Sequence, residues 1–212
     1  MKILKIQVPD YVINDVEKQL DGVKGKTKNS VLKTSVNNTA KQAQRLLAQK
    51  TSETYVGKYT RRSAVIQNSD VHKGNAKSPT AQIEFSSPVT EIKDYYVSSL
   101  QISKTAYTKK GKRRHKTIKG RVLNGENKKL EYAFVVQFKN GHIAVVSRVP
   151  GVNAKQHSGK PEKPHYEKLR KILSPSIATA VGGDRVYGES KEKIEKMLLE
   201  EVSKTMQKVL GR

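Results

Sequence analysis

Cysteine and tryptophan are absent from this 212-residue chain, and only 6% of its residues are aromatic. Without cysteine there is no disulfide framework, no thiolate metal ligand and no thiol nucleophile. Acid is scarce as well. Asp and Glu number 19 against 42 Lys and Arg, for a formal net charge of +23. Carboxylate chemistry therefore has few residues to draw on. No window approaches the roughly 18 apolar residues of a membrane-crossing helix. The opening MKILKIQVPDYV is too short in apolar residues for the core of a signal peptide. The five histidines, His72, His115, His142, His157 and His165, fall in no spaced metal motif, and no phosphate-cradling or nucleophile-elbow motif is present. The expectation is a non-enzymatic protein with no catalytic residue, no metal, no cofactor and no membrane partner.

What is present in excess is positive charge. A chain this basic repels itself and points to an anionic partner: nucleic acid, an acidic protein surface or anionic lipid. The densest run is KTAYTKKGKRRHKTIKGR, residues 104–121, which contains no acid. It reads as an exposed loop or hairpin tip. Lys109, Lys110, Lys112, Arg113, Arg114 and Lys116 are its candidate charge contacts, to DNA or to an acidic partner. Tyr107 is its only Phe, Tyr or Trp, so base stacking has little support and any nucleic-acid contact is to backbone.

Hydrophobic content is low at 35%, so the expected core is modest. MKILKIQV reads as a short strand, and Asp10 as the N-cap of a helix ending near Gly22. From Asn29 to Lys50, apolar residues at Val31, Leu32, Val36, Ala40, Ala43, Leu46 and Leu47 recur at threes and fours, which predicts a long helix with one core-facing stripe. The region after Thr51 reads as short strands and loops, with Ala81, Ile83 and Phe85 on one face of a strand. Ser174-Pro175 predicts a helix start, closed by Gly182-Gly183. Ile194, Met197, Leu198, Val202, Met206 and Val209 stripe a final helix from about Ser190 to Leu210. No internal repeat and no second-domain boundary is visible, so the expected organisation is one domain over 1–212 with a flexible loop at 151–165.

The clearest local signal is AFVVQFKNGHIAVVSRVPG, residues 133–151. Two apolar runs flank Asn140-Gly141, which predicts a hairpin with a type I′ turn. Phe134, Val136 and Phe138 share one side of the first strand. Ile143 and Val145 offer one face of the second strand, and Ala144 and Val146 the other. Apolar residues on both faces suit a seam between subunits, with Phe134, Val136, Phe138, Ile143, Val145 and Arg148 as interface candidates.

These pieces together resemble the prophage minor tail protein Z family. Asn38, Thr39 and Ala40 match its N-x-T-A helix opening, Tyr55 or Tyr59 the tyrosine that follows, Arg148 the arginine closing a strand pair, and Ser174, Pro175 and Ser176 its GPS helix start. Ser174 stands where the family often has glycine. The resemblance spans roughly residues 30 to 183. It implies a structural virion protein at the head-proximal end of a phage tail or tail-like particle, completing or terminating the tube and joining it to the neck or collar. It also implies a homo-oligomeric ring, commonly of six copies, with tail tube and neck proteins as neighbours and genomic DNA in passage. The protein would then reside in the virion, assembled in the bacterial cytoplasm. The expected fold is α+β: a small antiparallel sheet including 132–149, with the long N-terminal helix and the C-terminal amphipathic helix packed on it. The rival reading from composition is a non-specific nucleic-acid-binding protein acting through backbone contacts.

Overall fold

The structure, a computed structural model, describes residues 2–7, 9–20, 25–101, 118–153 and 167–211. The fold is α+β, and the chain divides into two compact units. The first comprises residues 1–55, 59–88 and 176–212; the second comprises 56–58 and 89–175.

The first unit contains β1 (Lys2–Gln7), α1 (Asp10–Gln19), α2 (Gly25–Thr54), α3 (Arg62–Gln67), β2 (Ser69–His72), β3 (Thr80–Phe85), α4 (Ile177–Gly182), a π-helical turn (Asp184–Gly188) and α5 (Glu189–Leu210). Its antiparallel sheet has the order β1-β3-β2. Strand β3 alternates as the sequence predicts, and Ala81, Ile83 and Phe85 are wholly buried. Helix α2 covers this sheet and runs along α5. Its stripe of Val31, Leu32, Val36, Ala40, Ala43 and Leu47 is buried in one core with Leu198, Val202 and Met206 of α5. The expectation that residues 132–149 form the sheet under the long helix is corrected: β1-β3-β2 does so.

Polar residues set the register of the two long helices. Ser35, Thr39 and Thr51 are buried in α2, and each hydroxyl donates to the carbonyl four residues back, at 2.9, 2.9 and 2.7 Å. Such back-bonding satisfies the hydroxyl and keeps the side chain small at a helix seam. The Glu201 carboxylate of α5 is buried, and it accepts from the Asn38 amide at 3.1 Å and the Gln42 amide at 2.9 Å. Asn38, Thr39 and Ala40, the motif singled out above, therefore form part of the α2–α5 seam.

Several boundaries differ from expectation for local reasons. Pro9, not Asp10, occupies the N-cap of α1, and Asp10 is the first helical residue, where a carboxylate suits the helix dipole. Ser176, not Ser174, caps α4: its Oγ accepts from the Thr179 amide at 3.2 Å. Gly183 follows the last residue of α4, as the glycine pair predicts. Gly211, with φ of 71°, closes α5. Helix α3 falls where strands and loops were expected.

The second unit is built from short strands: β4 (Thr90–Glu91), β5 (Tyr96–Val97), β6 (Lys119–Arg121), β7 (Lys128–Lys129), β8 (Ala133–Gln137), β9 (Ile143–Asn153), β10 (Glu167–Lys171) and β11 (Leu173–Ser174). They pair as β10-β9-β8, β5-β6-β7 and β11-β4. Ser174 thus lies in a strand, and the Pro175 carbonyl accepts from Thr90 Oγ1 and from the Tyr95 hydroxyl, both at 2.7 Å. The apolar centre of this unit is small: Ile92, Ile118, Val135 and Val145, with Val97, Val122, Leu130, Ala133, Ile143 and Ile172 against them.

Candidate interaction surface

The hairpin predicted around Asn140-Gly141 is present, with β8 and β9 antiparallel and Val135 opposite Val145. Its turn is not type I′, which needs positive φ at both central residues. Among the described residues only Tyr132 has positive φ without being glycine, while Gly141 sits at φ of 80°. The Gly141 amide donates to the Phe138 carbonyl at 2.9 Å, and the Phe138 amide to the His142 carbonyl at 2.8 Å. This is a three-residue connection, a four-residue turn followed by a left-handed glycine. Asn140 contributes through its side chain, whose Oδ1 accepts from the His142 amide at 3.1 Å.

The six interface candidates fall on two faces. Val145 is wholly buried in the small core, and Ile143 packs against that core. On the opposite face Phe134 lies across from Val146 and Val136 across from Ala144. Ala144 and Val146 are buried, Phe134 and Val136 half-buried, and Phe138 and Arg148 exposed. The Arg148 guanidinium lies over the Phe134 ring at 5.4 Å, a cation–π contact. The sheet's two edges differ in chemistry. Strand β10, EKLRK, carries charge along its length; strand β8, AFVVQ, carries none.

At the turn end of this sheet stands an ionic cluster that the sequence did not reveal. The Glu91 carboxylate accepts from Lys171 Nζ at 2.9 Å and from His142 Nε2 at 2.9 Å. Lys93 Nζ lies 3.8 Å from the same carboxylate and donates to the Ile143 carbonyl at 2.8 Å. It also lies 3.3 Å from His142 Nδ1. A lysine donating to Nδ1 places the ring proton on Nε2, pointing at Glu91. Glu91 is held in turn by its own amide, which donates to Asp94 Oδ2 at 3.0 Å. Partial burial pushes the Glu91 carboxyl up, but hydrogen bonds from Lys171 and His142 outweigh it and hold the group below its ordinary value. Lys171 also reaches over the Phe138 ring at 5.5 Å, and Phe138 stacks on His142 with centroids 6.0 Å apart. Phe138, Lys139, Asn140, His142 and Lys171 line a shallow, open, basic pocket.

The third surface is the sheet β5-β6-β7. Lys119–Arg121 is a strand, where the basic run was expected to continue as a loop, and Ile118 is buried beneath it. Gly120 faces the core: a Cβ there would meet Leu130 at 3.2 Å. Tyr96 pairs with Arg121 and Lys119 with Lys129. The candidates Lys109, Lys110, Lys112, Arg113, Arg114 and Lys116 lie outside the described residues, as do His115, His157 and His165. Most of the expected loop 151–165 lies outside them too, although β9 extends to Asn153.

Among the described residues, no group of three or more His, Asp or Glu side chains could hold a metal ion, and no helix is long and apolar enough to cross a membrane. The profile of the prophage minor tail protein Z family matches residues 13–212. No curated protein and no solved structure matches the chain.

Proposed function

Because the chain belongs to the prophage minor tail protein Z family and so is a structural component of a phage tail, we propose that it acts at the tail's head-proximal end. There it completes or terminates the tube as a ring of its own copies, six being the expected number, and joins the tube to neck or collar. Its partners on this reading are the tail tube, neck proteins and other copies of itself, with DNA in passage. The role is architectural, and no residue is catalytic.

The observation that supports self-association is the edge of β8, which among the described residues no strand pairs and no charge guards. Edge strands are normally protected by charge, and β10 across the same sheet carries it. Strand β8 offers Phe134, Val135 and Val136 with no charged residue. An apolar edge left open in a monomer invites pairing; covered by the next copy, it becomes a seam. A head-to-tail seam of this kind closes into a ring when its rotation divides the circle. Phe134, Val136, Phe138 and Arg148 surround that edge, whereas Ile143 and Val145 serve the unit's own core.

Sedimentation velocity and negative-stain imaging of the purified chain test this. Wild type should form closed rings. Val136→Lys, which places charge on the edge, should sediment as a monomer with its circular dichroism unchanged; Phe138→Ser is the milder companion. A wild-type chain that remains monomeric, alone and with tail tube present, contradicts the reading.

A further inference from the structure

The solvent face of β5-β6-β7 collects charges that the fold itself opposes. Along β6 the residues alternate. Ile118 is buried, Lys119 exposed, Gly120 buried and Arg121 partly exposed. The partner strands follow the same alternation. Val97 and Leu130 pack on the small core, while Tyr96 stands opposite Arg121 and Lys129 opposite Lys119. Directly opposed residues on one face of an antiparallel pair have Cβ atoms roughly 5 Å apart, and like charges there destabilise the pairing. No carboxylate among the described residues is bonded to Lys119 or Lys129; the nearby Glu126 is paired with Lys128 at 3.5 Å.

Arg121 adds a second, independent observation. Its guanidinium lies 4.7 Å over the ring of Tyr96, which is 45% exposed. Its Nε is buried and has no hydrogen-bond partner among the described residues. The aromatic ring therefore holds the guanidinium in a fixed plane; Nε, being buried, is not the donor a ligand would meet. A preorganised guanidinium of this kind suits bidentate binding of an oxyanion.

We propose that this face is a contact site for nucleic-acid backbone, with Lys119, Lys129 and Arg121 each meeting a phosphate and Tyr96 bracing the arginine. The pattern favours a phosphodiester chain over an acidic protein. Centres of protein interfaces are apolar and poor in lysine. Here the aliphatic residues of the same strands turn inward, leaving two lysines, an arginine and one tyrosine ring outside. A phosphodiester supplies anions in series and needs no apolar footing. Such contacts carry no sequence preference.

The site does not depend on ring formation, whose failure is read separately by sedimentation. Its test is fluorescence anisotropy of the intact chain with short labelled duplexes of two unrelated sequences, across a salt series. Wild type should bind both equally. Each phosphate contact contributes about 0.9 to the slope of log affinity against log salt. The variant Lys119→Ser/Arg121→Ser/Lys129→Ser should therefore show a slope shallower by about 2 to 3. Lys191→Ser/Lys193→Ser/Lys196→Ser removes the same charge from exposed positions of α5 and should keep the wild-type slope. Equal slopes for the two triple variants would overturn the proposal. Lys129→Glu separates binding from folding, because it gives Lys119 an opposite charge. Its melting temperature should hold or rise while duplex affinity falls; a joint fall counts against the site. Polyglutamate of matched charge should compete poorly. Competition equal to that of unlabelled duplex would overturn the assignment to nucleic acid.

Discussion

The strand Thr80–Phe85 beneath α2 sends Ala81, Ile83 and Phe85 to one face and buries them completely. The strand Ala133–Gln137 divides its apolar residues, Val135 inward and Phe134 and Val136 toward the opposite, partly exposed face. The first sheet has three strands and two long helices to complete one continuous core. Among the described residues, the second unit's core cluster is Ile92, Ile118, Val135 and Val145, with Tyr95, Ala144 and Val146 buried besides, and the unit fastens its turn with ions. One region satisfies its own apolar surface; the other leaves an apolar strand edge and a cationic sheet face with nothing bonded across them among the described residues. On the proposed reading, the first unit supplies stability and the second, inserted between residues 88 and 176, supplies the contacts.

The largest effect should come from the helical unit. Phe85→Ala removes a fully buried ring from its core, and such truncations cost about 3 to 5 kcal/mol. All five α-helices among the described residues lie in that unit, so denaturation followed by the helical circular dichroism signal reads the loss directly. Val145→Ala in the smaller core should leave that signal's midpoint nearly unchanged. A large shift from Val145→Ala would break the comparison.

A smaller effect belongs to the ionic cluster. Glu91→Gln leaves Lys171 and Lys93 beside His142 without a countercharge, and should cost the second unit about 1 to 3 kcal/mol. The pH dependence has a definite sign. The folded-state pKa of Glu91 lies below its ordinary value. Its contribution is therefore complete above the unfolded carboxylate value, about 4.3, and is lost as pH falls through the lower folded value. Protection of the Ile143 and Val145 amides, taken relative to intrinsic exchange at each pH, should fall on that acid limb in wild type and stay level in Glu91→Gln. Level protection in wild type contradicts the role given to the cluster.

Much of the first unit was legible because its signals are periodic. Seven apolar positions at helical spacing marked α2, and strict alternation marked β3. The minor tail protein motif of Asn38, Thr39 and Ala40 could be quoted from the sequence, but its physical meaning, a grip on Glu201 and a close α2–α5 approach, required Glu201, 163 residues beyond Asn38, to be in place. Helix α3, six residues long, is too short to show a period. Strand β6 was invisible because its inward residue is Gly120, which gives no hydrophobic signal. The hairpin was readable, but not its turn type: Asn140 stays at negative φ and works through its carboxamide. Nothing local joins Glu91, Lys93, His142 and Lys171; the pairing of β4 with β11, the bond from the Ile92 amide to the Ile172 carbonyl and the pairing of β9 with β8 and β10 bring them together.

Hydrogen exchange of the free chain compared with the chain in assembled tail particles tests the central claim most directly. The account predicts that the backbone amides of Val135 and Gln137, which alternate with those bonded to β9, exchange readily when free and become protected on assembly, while Ala81–Phe85 is equally slow in both states. Protection of Val135 and Gln137 that is identical in free chain and particle would contradict it.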